Sequence, residues 1–166
     1  VFVLYAGYRY GWSATDVGFA LTGVGVTVAA VQGALVGRLS AQFGERRTLV
    51  AGLLFGTAGF AIYGLAGTGV VFSIGIPIMS MWGLYGPSAQ GLMTRRVGPT
   101  DQGKLQGALS SVMGITGIVG PGLFSAIFAA SIGRYRALGV PGAPFLVASL
   151  LLLTGAVIAY RLTRSH

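Results

Sequence analysis

The sequence lacks cysteine altogether and contains a single histidine, the carboxyl-terminal His166. Without cysteine, a disulfide framework, a thiolate metal site and cysteine catalysis are excluded. One terminal histidine provides neither a histidine-based metal site nor a Ser-His catalytic pair. We therefore predict that the chain holds no metal and is not an enzyme.

Charge is also scarce. Only 8% of the residues are charged and 54% are hydrophobic, and the mean hydropathy is +0.78. A soluble domain carries about 25% charged residues, so these side chains cannot cover a water-exposed surface. The net charge of +8 is held in short clusters between long uncharged runs, unlike the basic stripe of a nucleic-acid-binding domain. The composition indicates a membrane protein whose partner is the lipid bilayer and that binds no nucleic acid.

Long charge-free runs predict the membrane-spanning helices. They cover residues 17–37, 48–94, 105–133 and 137–160, and about 20 helical residues cross a bilayer core of roughly 30 Å. The second run would form a rod of about 70 Å, so it must reverse, and Gly67-Thr68-Gly69 is the expected turn. The absence of strand-like alternation favours helices over barrel strands.

The predicted fold class is therefore an all-α polytopic membrane bundle, with complete spans near 17–37, 48–66, 70–94, 105–130 and 143–161. Residues 1–8 are apolar and aromatic but too short to cross a bilayer, and they are followed by Arg9, Tyr10 and Trp12. Since Tyr and Trp favour the membrane interface, we interpret 1–8 as the end of a partial span. Residues 1–166 are then expected to be a fragment of a longer bundle.

Basic residues predict the orientation, because cytoplasmic loops of membrane proteins carry an excess of Lys and Arg. Alternation of the spans places three basic residues on one side, namely Arg9, Arg134 and Arg136. It places eight on the other side, namely Arg38, Arg46, Arg47, Arg95, Arg96, Lys104, Arg161 and Arg164. The side with eight is predicted to be cytoplasmic, together with the carboxyl terminus.

Rows of glycine and two Gly-Pro pairs predict close helix packing and kinks. Small residues repeat on one face of span 17–37 and again in span 105–130, which lets another backbone approach closely. Proline removes a backbone hydrogen-bond donor and bends a helix. Such a kink is either a structural feature alone or one that serves a conformational change. The candidate kink and packing residues are Gly25, Pro87, Gly114, Gly117, Gly120 and Pro121.

Polar and aromatic residues inside the spans are candidates for a site. A lone amide in hydrocarbon is costly, so Gln32 should face the bundle interior or a wet cavity, making a helix–helix hydrogen bond or contacting a substrate. Trp82 and Tyr85 lie near the middle of span 70–94 and either pack in the core or line a site for a flat amphipathic molecule. Spans 48–66 and 143–161 are mostly aliphatic and are expected to face lipid.

Two stretches resemble a known family. Residues 37–49, GRLSAQFGERRTL, resemble the cytoplasmic loop motif of the major facilitator superfamily through Gly37, Arg38, Gly44, Arg46 and Arg47. On composition alone, this stretch is an ordinary inside-positive loop. Residues 83–124, GLYGPSAQGLMTRRVGPTDQGKLQGALSSVMGITGIVGPGLF, are similar to the carboxyl-terminal half of the tetracycline/proton antiporter group of that superfamily.

The resemblance implies the end of helix seven through helix twelve of a twelve-helix fold that works by alternating access. It implies drug export from a bacterial cytoplasmic membrane, driven by a proton gradient without a cofactor, with a missing N-terminal six-helix half as partner. It places the cavity between the halves, lined here by the helices at 1–8, 17–37, 70–94 and 105–130. The candidate cavity residues are Gln32, Met81, Tyr85, Gln90 and Met113.

The sequence also departs from the family pattern. Ala41 stands where the loop motif has Asp, and residues 53–59 contain no acidic residue where tetracycline pumps carry one in the ninth helix. No Asp or Glu lies inside any predicted span, so a proton-coupling carboxylate is expected in the missing half. Two alternatives stay open: a major facilitator transporter of another small solute, and a non-transporting helical membrane module that uses its glycine rows for association.

Overall fold

The computed structural model describes the backbone of residues 1–164, and within that range the chain forms six helices of nine or more residues, a short 3₁₀ turn at Arg136–Leu138 and no strand. We label the helices α1 (Phe2–Tyr10), α2 (Ala14–Phe43), α3 (Glu45–Leu65), α4 (Gly69–Arg95), α5 (Pro99–Ile132) and α6 (Ala143–Arg164). Five of them, α2 to α6, are long and apolar enough to cross a membrane. The predicted all-α membrane bundle is therefore confirmed.

Local sequence signals explain where several helices begin and end. Ser13 and Asp16 form a capping box at the start of α2, in which each side chain accepts a hydrogen bond from the other residue's backbone N–H. The turn before α4 falls at Gly67-Thr68 as expected, and the Thr68 hydroxyl accepts from the Val71 N–H. Gly44 separates α2 from α3 with φ of +81°, a left-handed value that favours glycine.

Helix α3 lies at the centre of the described bundle, between α4 and α6. Its glycines form a row at which α4 packs: a Cβ at Gly52 would lie 2.7 Å from the backbone nitrogen of Tyr85, and one at Gly59 would lie 2.6 Å from the Met79 Cα. In the most apolar 18-residue stretch of α3, 39% of the residues are buried within the bundle, compared with 6% in the corresponding stretches of α2 and α5. The glycine face of α3 is thus covered by α4, whereas Leu54 and Phe55 remain 47% and 41% exposed, so the expectation that 48–66 faces lipid stays a prediction.

Aromatic side chains form a buried cluster at the end of the bundle opposite the basic clusters. Tyr5, Tyr63, Phe72 and Phe145 are buried together, and the Tyr63 and Phe72 rings stack with centroids 4.2 Å apart. Tyr10 closes this aromatic cluster by donating a hydrogen bond from its hydroxyl to the Ala66 carbonyl oxygen, at 2.9 Å. The short helix α1 is thus fixed to the α3–α4 turn.

Contacts at the other end bring three basic segments together. The Glu45 carboxylate at the start of α3 pairs with Arg95 at the end of α4, at 3.1 Å. The Arg46 guanidinium lies 5.6 Å from the centre of the Tyr160 ring near the end of α6. The α2–α3 turn and the ends of α4 and α6 therefore share one face of the bundle, which we call the basic end. The predicted clustering is confirmed for the segments of Arg46, Arg95 and the end of α6, and the cytoplasmic location of all eight basic residues stays a prediction.

Candidate functional site

Two departures from α-helical geometry face each other at the crossing of α2 and α4. Residues Val31–Leu35 form a π-helical turn in α2, and Met81–Leu84 form a 3₁₀ turn in α4. The Gln32 Cγ and Nε2 atoms lie 3.6 Å from the point where a Cβ would stand on Gly83. Because π-turns within α-helices are frequent at functional sites, this crossing is the candidate site.

A hydrogen bond between side chains joins the same two helices at Thr27 and Ser80. Their hydroxyl oxygens are 2.7 Å apart, and each also lies within hydrogen-bond distance of a carbonyl oxygen of its own helix. One hydroxyl donates across the gap while the other donates to its own helix. This contact joins α2 and α4 about one turn before the π segment and directly before the 3₁₀ segment.

The same stretch of α4 carries an aromatic pair. The Trp82 and Tyr85 rings are stacked, with centroids 5.5 Å apart and planes 7° from parallel. The Trp82 ring is backed by Phe60 and by Gly56, where a Cβ would stand 2.8 Å from the Trp82 Cδ1 atom. Its buried Nε1 has no hydrogen-bond partner among the described residues. Gly56 thus makes room for the indole, and no side chain at this position would fit without moving it.

The five predicted cavity residues separate into two groups. Gln32 and Met81 lie on the two irregular turns that meet at the crossing, and Tyr85, which follows the 3₁₀ turn, remains 36% exposed. Gln90 is exposed further along α4, toward the basic end. Met113 is 70% exposed on α5, a different wall of the bundle. Gln32 lies against Gly83 of α4, and the contribution of all five residues to one cavity stays a prediction.

The predicted packing glycines of α2 and α5 lie on open surface here. A Cβ at Gly25, Gly114, Gly117 or Gly120 would meet no atom within 4 Å, so their role in close packing stays a prediction. Helix α5 stays α-helical through Pro121, whereas Pro87 lies three residues after the 3₁₀ turn of α4. Gly120 and Pro121 line a cavity of about 410 Å³ together with Phe60 and Phe145.

The loop-motif residues surround the turn between α2 and α3. Gly37 and Arg38 lie in the last turns of α2, and Gly44 supplies the reversal. Arg46 donates to the Tyr160 carbonyl oxygen at 3.5 Å, and Arg47 borders a cavity of about 300 Å³ between α2 and α3. These positions place the motif at the basic end.

Sequence reasoning missed two contacts at this end of the molecule. Glu45 lies in the motif and was not singled out, although its carboxylate pairs with Arg95 and lies against Gly91. An acidic residue within a run of arginines was the available signal. Asp101 near the start of α5 makes no capping hydrogen bond and pairs with Lys104 at 2.8 Å.

Comparisons with known proteins agree with this architecture. The sequence model of the Major Facilitator Superfamily matches residues 1–166. The class G tetracycline resistance protein of Vibrio anguillarum is 34% identical over 82% of this chain and 35% of its own length. The class C and class B proteins of Escherichia coli are 32% and 33% identical over 94% and 77% of the chain, and over 40% and 32% of their own lengths.

The chain therefore spans between about a third and two fifths of the length of these curated relatives. No solved structure matches it. The family match covers residues 1–166 and therefore includes the irregular turns, the aromatic pair and the basic end.

Proposed function

This chain belongs to the Major Facilitator Superfamily, and from that premise we propose that it forms the C-terminal half of a proton-coupled exporter of tetracycline-like or other amphipathic drugs. The exporter works by alternating access in the bacterial cytoplasmic membrane, with the carboxyl terminus in the cytoplasm. The names of the relatives, tetracycline resistance proteins of classes G, C and B, support the substrate class.

The main observation that supports this proposal is the exposed surface of α2 and α5. In the most apolar 18-residue stretch of each helix, only 6% of the residues are buried within the described chain. Both helices also expose rows of glycine. Smooth glycine faces allow close approach between membrane helices. We propose that a preceding six-helix half covers these faces and that the substrate cavity lies between the two halves, near the midplane where such sites are found.

The α2–α4 crossing supplies suitable chemistry for a flat amphipathic drug. The stacked rings of Trp82 and Tyr85 offer an apolar surface of fixed orientation, and Gln32 offers both a donor and an acceptor. Stacking on the rings and a hydrogen bond from the amide would position a fused-ring molecule. In this proposal Met81 lines the same cavity, while Gln90 and Met113 contact the substrate from other walls.

The proton-carrying group is proposed to lie outside residues 1–166. The three acidic residues of this chain are Asp16, Glu45 and Asp101, and each lies at the start of a helix. Glu45 and Asp101 are paired with basic residues. A transporter driven by a proton gradient needs a carboxylate or similar group that is exposed alternately to the two sides of the membrane. We therefore propose that this group lies in the preceding half.

Transport is tested with the longest natural polypeptide that contains this chain, expressed in cells free of other tetracycline pumps. A pH gradient is imposed on inverted membrane vesicles so that the vesicle interior is acidic, and the uptake of labelled tetracycline is measured. We expect uptake that an uncoupler abolishes. Gradient-dependent uptake of another solute alone would identify a transporter of different substrate, and oligomers with no transport of any kind would identify a non-transporting module.

Replacing Gln32 or Tyr85 by Ala is predicted to lower tetracycline uptake by about tenfold, since each change removes about 1.4 kcal/mol of contact with the substrate. Membrane abundance is expected to stay within about twofold because both side chains are exposed in this half. Gln42→Ala and Tyr135→Ala, which change the same residue types outside the crossing, serve as controls. Equal loss of abundance and uptake would show that Gln32 and Tyr85 stabilise the fold instead.

A further inference from the structure

A second cavity, with a different chemistry, lies at the end of the bundle opposite the basic end. It has a volume of about 770 Å³ and is bordered by Tyr10, Trp12, Asp16, Phe19 and Ile76, on α1, α2 and α4 and the α1–α2 turn. We call it the Trp12 cavity. Ligand pockets for drug-sized molecules have volumes of about 300–1,000 Å³, so one such molecule would fit.

The rings of the Trp12 cavity are held in place from behind. Trp12 packs edge-on against the buried Phe72, with ring centroids 5.8 Å apart, and its indole lies against Gly69 at the start of α4. Tyr10 is fixed by its hydrogen bond to the Ala66 carbonyl oxygen. Phe19 on the opposite wall is 75% exposed. The cavity therefore presents two immobilised aromatic rings facing a third that is free to adapt.

Asp16 is the only formally charged residue among those bordering the Trp12 cavity. Its two hydrogen-bonded contacts with Ser13, from the backbone N–H and from the hydroxyl, both go to Oδ2. The Oδ1 atom of the same carboxylate is left for a ligand. A carboxylate beside several aromatic faces favours a cation with an apolar body, because both the negative charge and the ring faces attract positive charge.

The floor of the cavity separates it from the candidate site at the α2–α4 crossing. Gly23 and Ile76 lie at the base, and one turn further the Thr27 and Ser80 hydroxyls join the two helices. The two regions thus lie along one α2–α4 seam, are bordered by different residues, and have the Thr27–Ser80 contact between them. Occupation of the Trp12 cavity is therefore distinct from occupation of the site that carries the proposed function.

We propose that the Trp12 cavity binds hydrophobic organic monocations that reach it from the membrane interface, where Tyr and Trp are typically found. Asp16 neutralises the charge of the ligand, and the rings of Tyr10, Trp12 and Phe19 enclose its apolar body. The site goes beyond drug export and does not depend on it, because binding needs neither a gradient nor an alternating movement.

The test is equilibrium binding of radiolabelled tetraphenylphosphonium to the longest natural polypeptide containing this chain, purified in detergent. Tetraphenylborate, which has the same shape and the opposite charge, is measured separately. We expect saturable binding of the cation, weakened at least about fivefold by Asp16→Asn and by Phe19→Ala. Asp16→Glu retains both the charge and the capping box and is expected to bind within about twofold of the unchanged protein.

The matched control is Asp101→Asn, which makes the same charge change at the basic end and should leave binding unaltered. The proposal is overturned if Asp16→Asn binds the cation as tightly as the unchanged protein, if Asp101→Asn weakens binding equally, or if tetraphenylborate binds as well. Absence of saturable binding in the unchanged protein also overturns it. Because Phe19 is largely exposed, Phe19→Ala keeps the test decisive should an Asp16 variant fail to fold.

Discussion

At the scale of single residues, glycine determines how closely the helices of this chain pack. Gly52, Gly56 and Gly59 lie on one face of α3 and are in contact with α4, whereas Gly25 and Gly114 have open space where a side chain would start. All five look alike in the sequence. Composition does not separate a lipid-facing helix from a protein-facing one, because lipid tails are as apolar as leucine.

Gly59→Ala is predicted to destabilise the protein by about 1–3 kcal/mol, because the new methyl group would overlap the Met79 backbone. Gly155→Ala on α6 is the control: a Cβ there meets no atom within 4 Å, and removing a helical glycine adds about 0.5–1 kcal/mol of stability. Thermal unfolding in detergent measures both. A Gly59→Ala variant as stable as Gly155→Ala would refute the close contact of α3 with α4.

The Glu45–Arg95 ion pair is predicted to contribute only about 0.2–1 kcal/mol, because 78% of the Arg95 side chain is exposed to solvent. A double-mutant cycle with Glu45→Gln and Arg95→Gln measures this coupling through chemical unfolding. The exchange of the two charges, Glu45→Arg with Arg95→Glu, should restore most of the stability that either single reversal removes. Additive losses in the cycle would mean that the two side chains do not interact.

At the scale of helices, the boundaries follow from the sequence, while the irregular turns do not. The charge-free runs and the Gly67-Thr68 turn place α2 to α6 because burying charge in a bilayer is costly and a 47-residue rod cannot fit. The π turn at Val31–Leu35 contains no proline, so no local signal marks it. The 3₁₀ turn at Met81–Leu84 lies between Pro77 and Pro87, which remove two backbone donors from α4.

The hydrogen bond between Thr27 and Ser80 is predicted to couple α2 to α4 by about 0.6 kcal/mol, with an upper bound of about 1.7 kcal/mol typical of membrane helices. The measurement is a double-mutant cycle with Thr27→Val and Ser80→Ala. Thr22→Val and Ser111→Ala are controls, since these hydroxyls donate to carbonyl oxygens of their own helices. Zero coupling between Thr27 and Ser80, equal to that of the control pair, would exclude a bond across the helix gap.

At the scale of the whole molecule, the distribution of charged residues predicts which helix ends lie on the same side of the bundle. Eight basic residues were assigned to one side by alternation alone, and the contacts of Glu45 with Arg95 and of Arg46 with Tyr160 bring those segments together. The position of α3 between α4 and α6 required the structure, because helix neighbours in a bundle depend on side-chain fit. Gln32, Met81 and Tyr85 are predicted from side-chain type and mid-span position, whereas the contact of Gln32 with Gly83 depends on how α2 crosses α4.

The most direct test of the account is the sidedness of the loops in the membrane. These 166 residues contain no cysteine, so single cysteines at Gln42, Thr100, Thr15 and Ala137, all exposed, report their own location to an impermeant maleimide. We predict that positions 42 and 100 react only in inverted vesicles, and positions 15 and 137 only in right-side-out vesicles. Reaction of positions 42 and 100 from opposite sides would contradict the five-span bundle and the shared basic end.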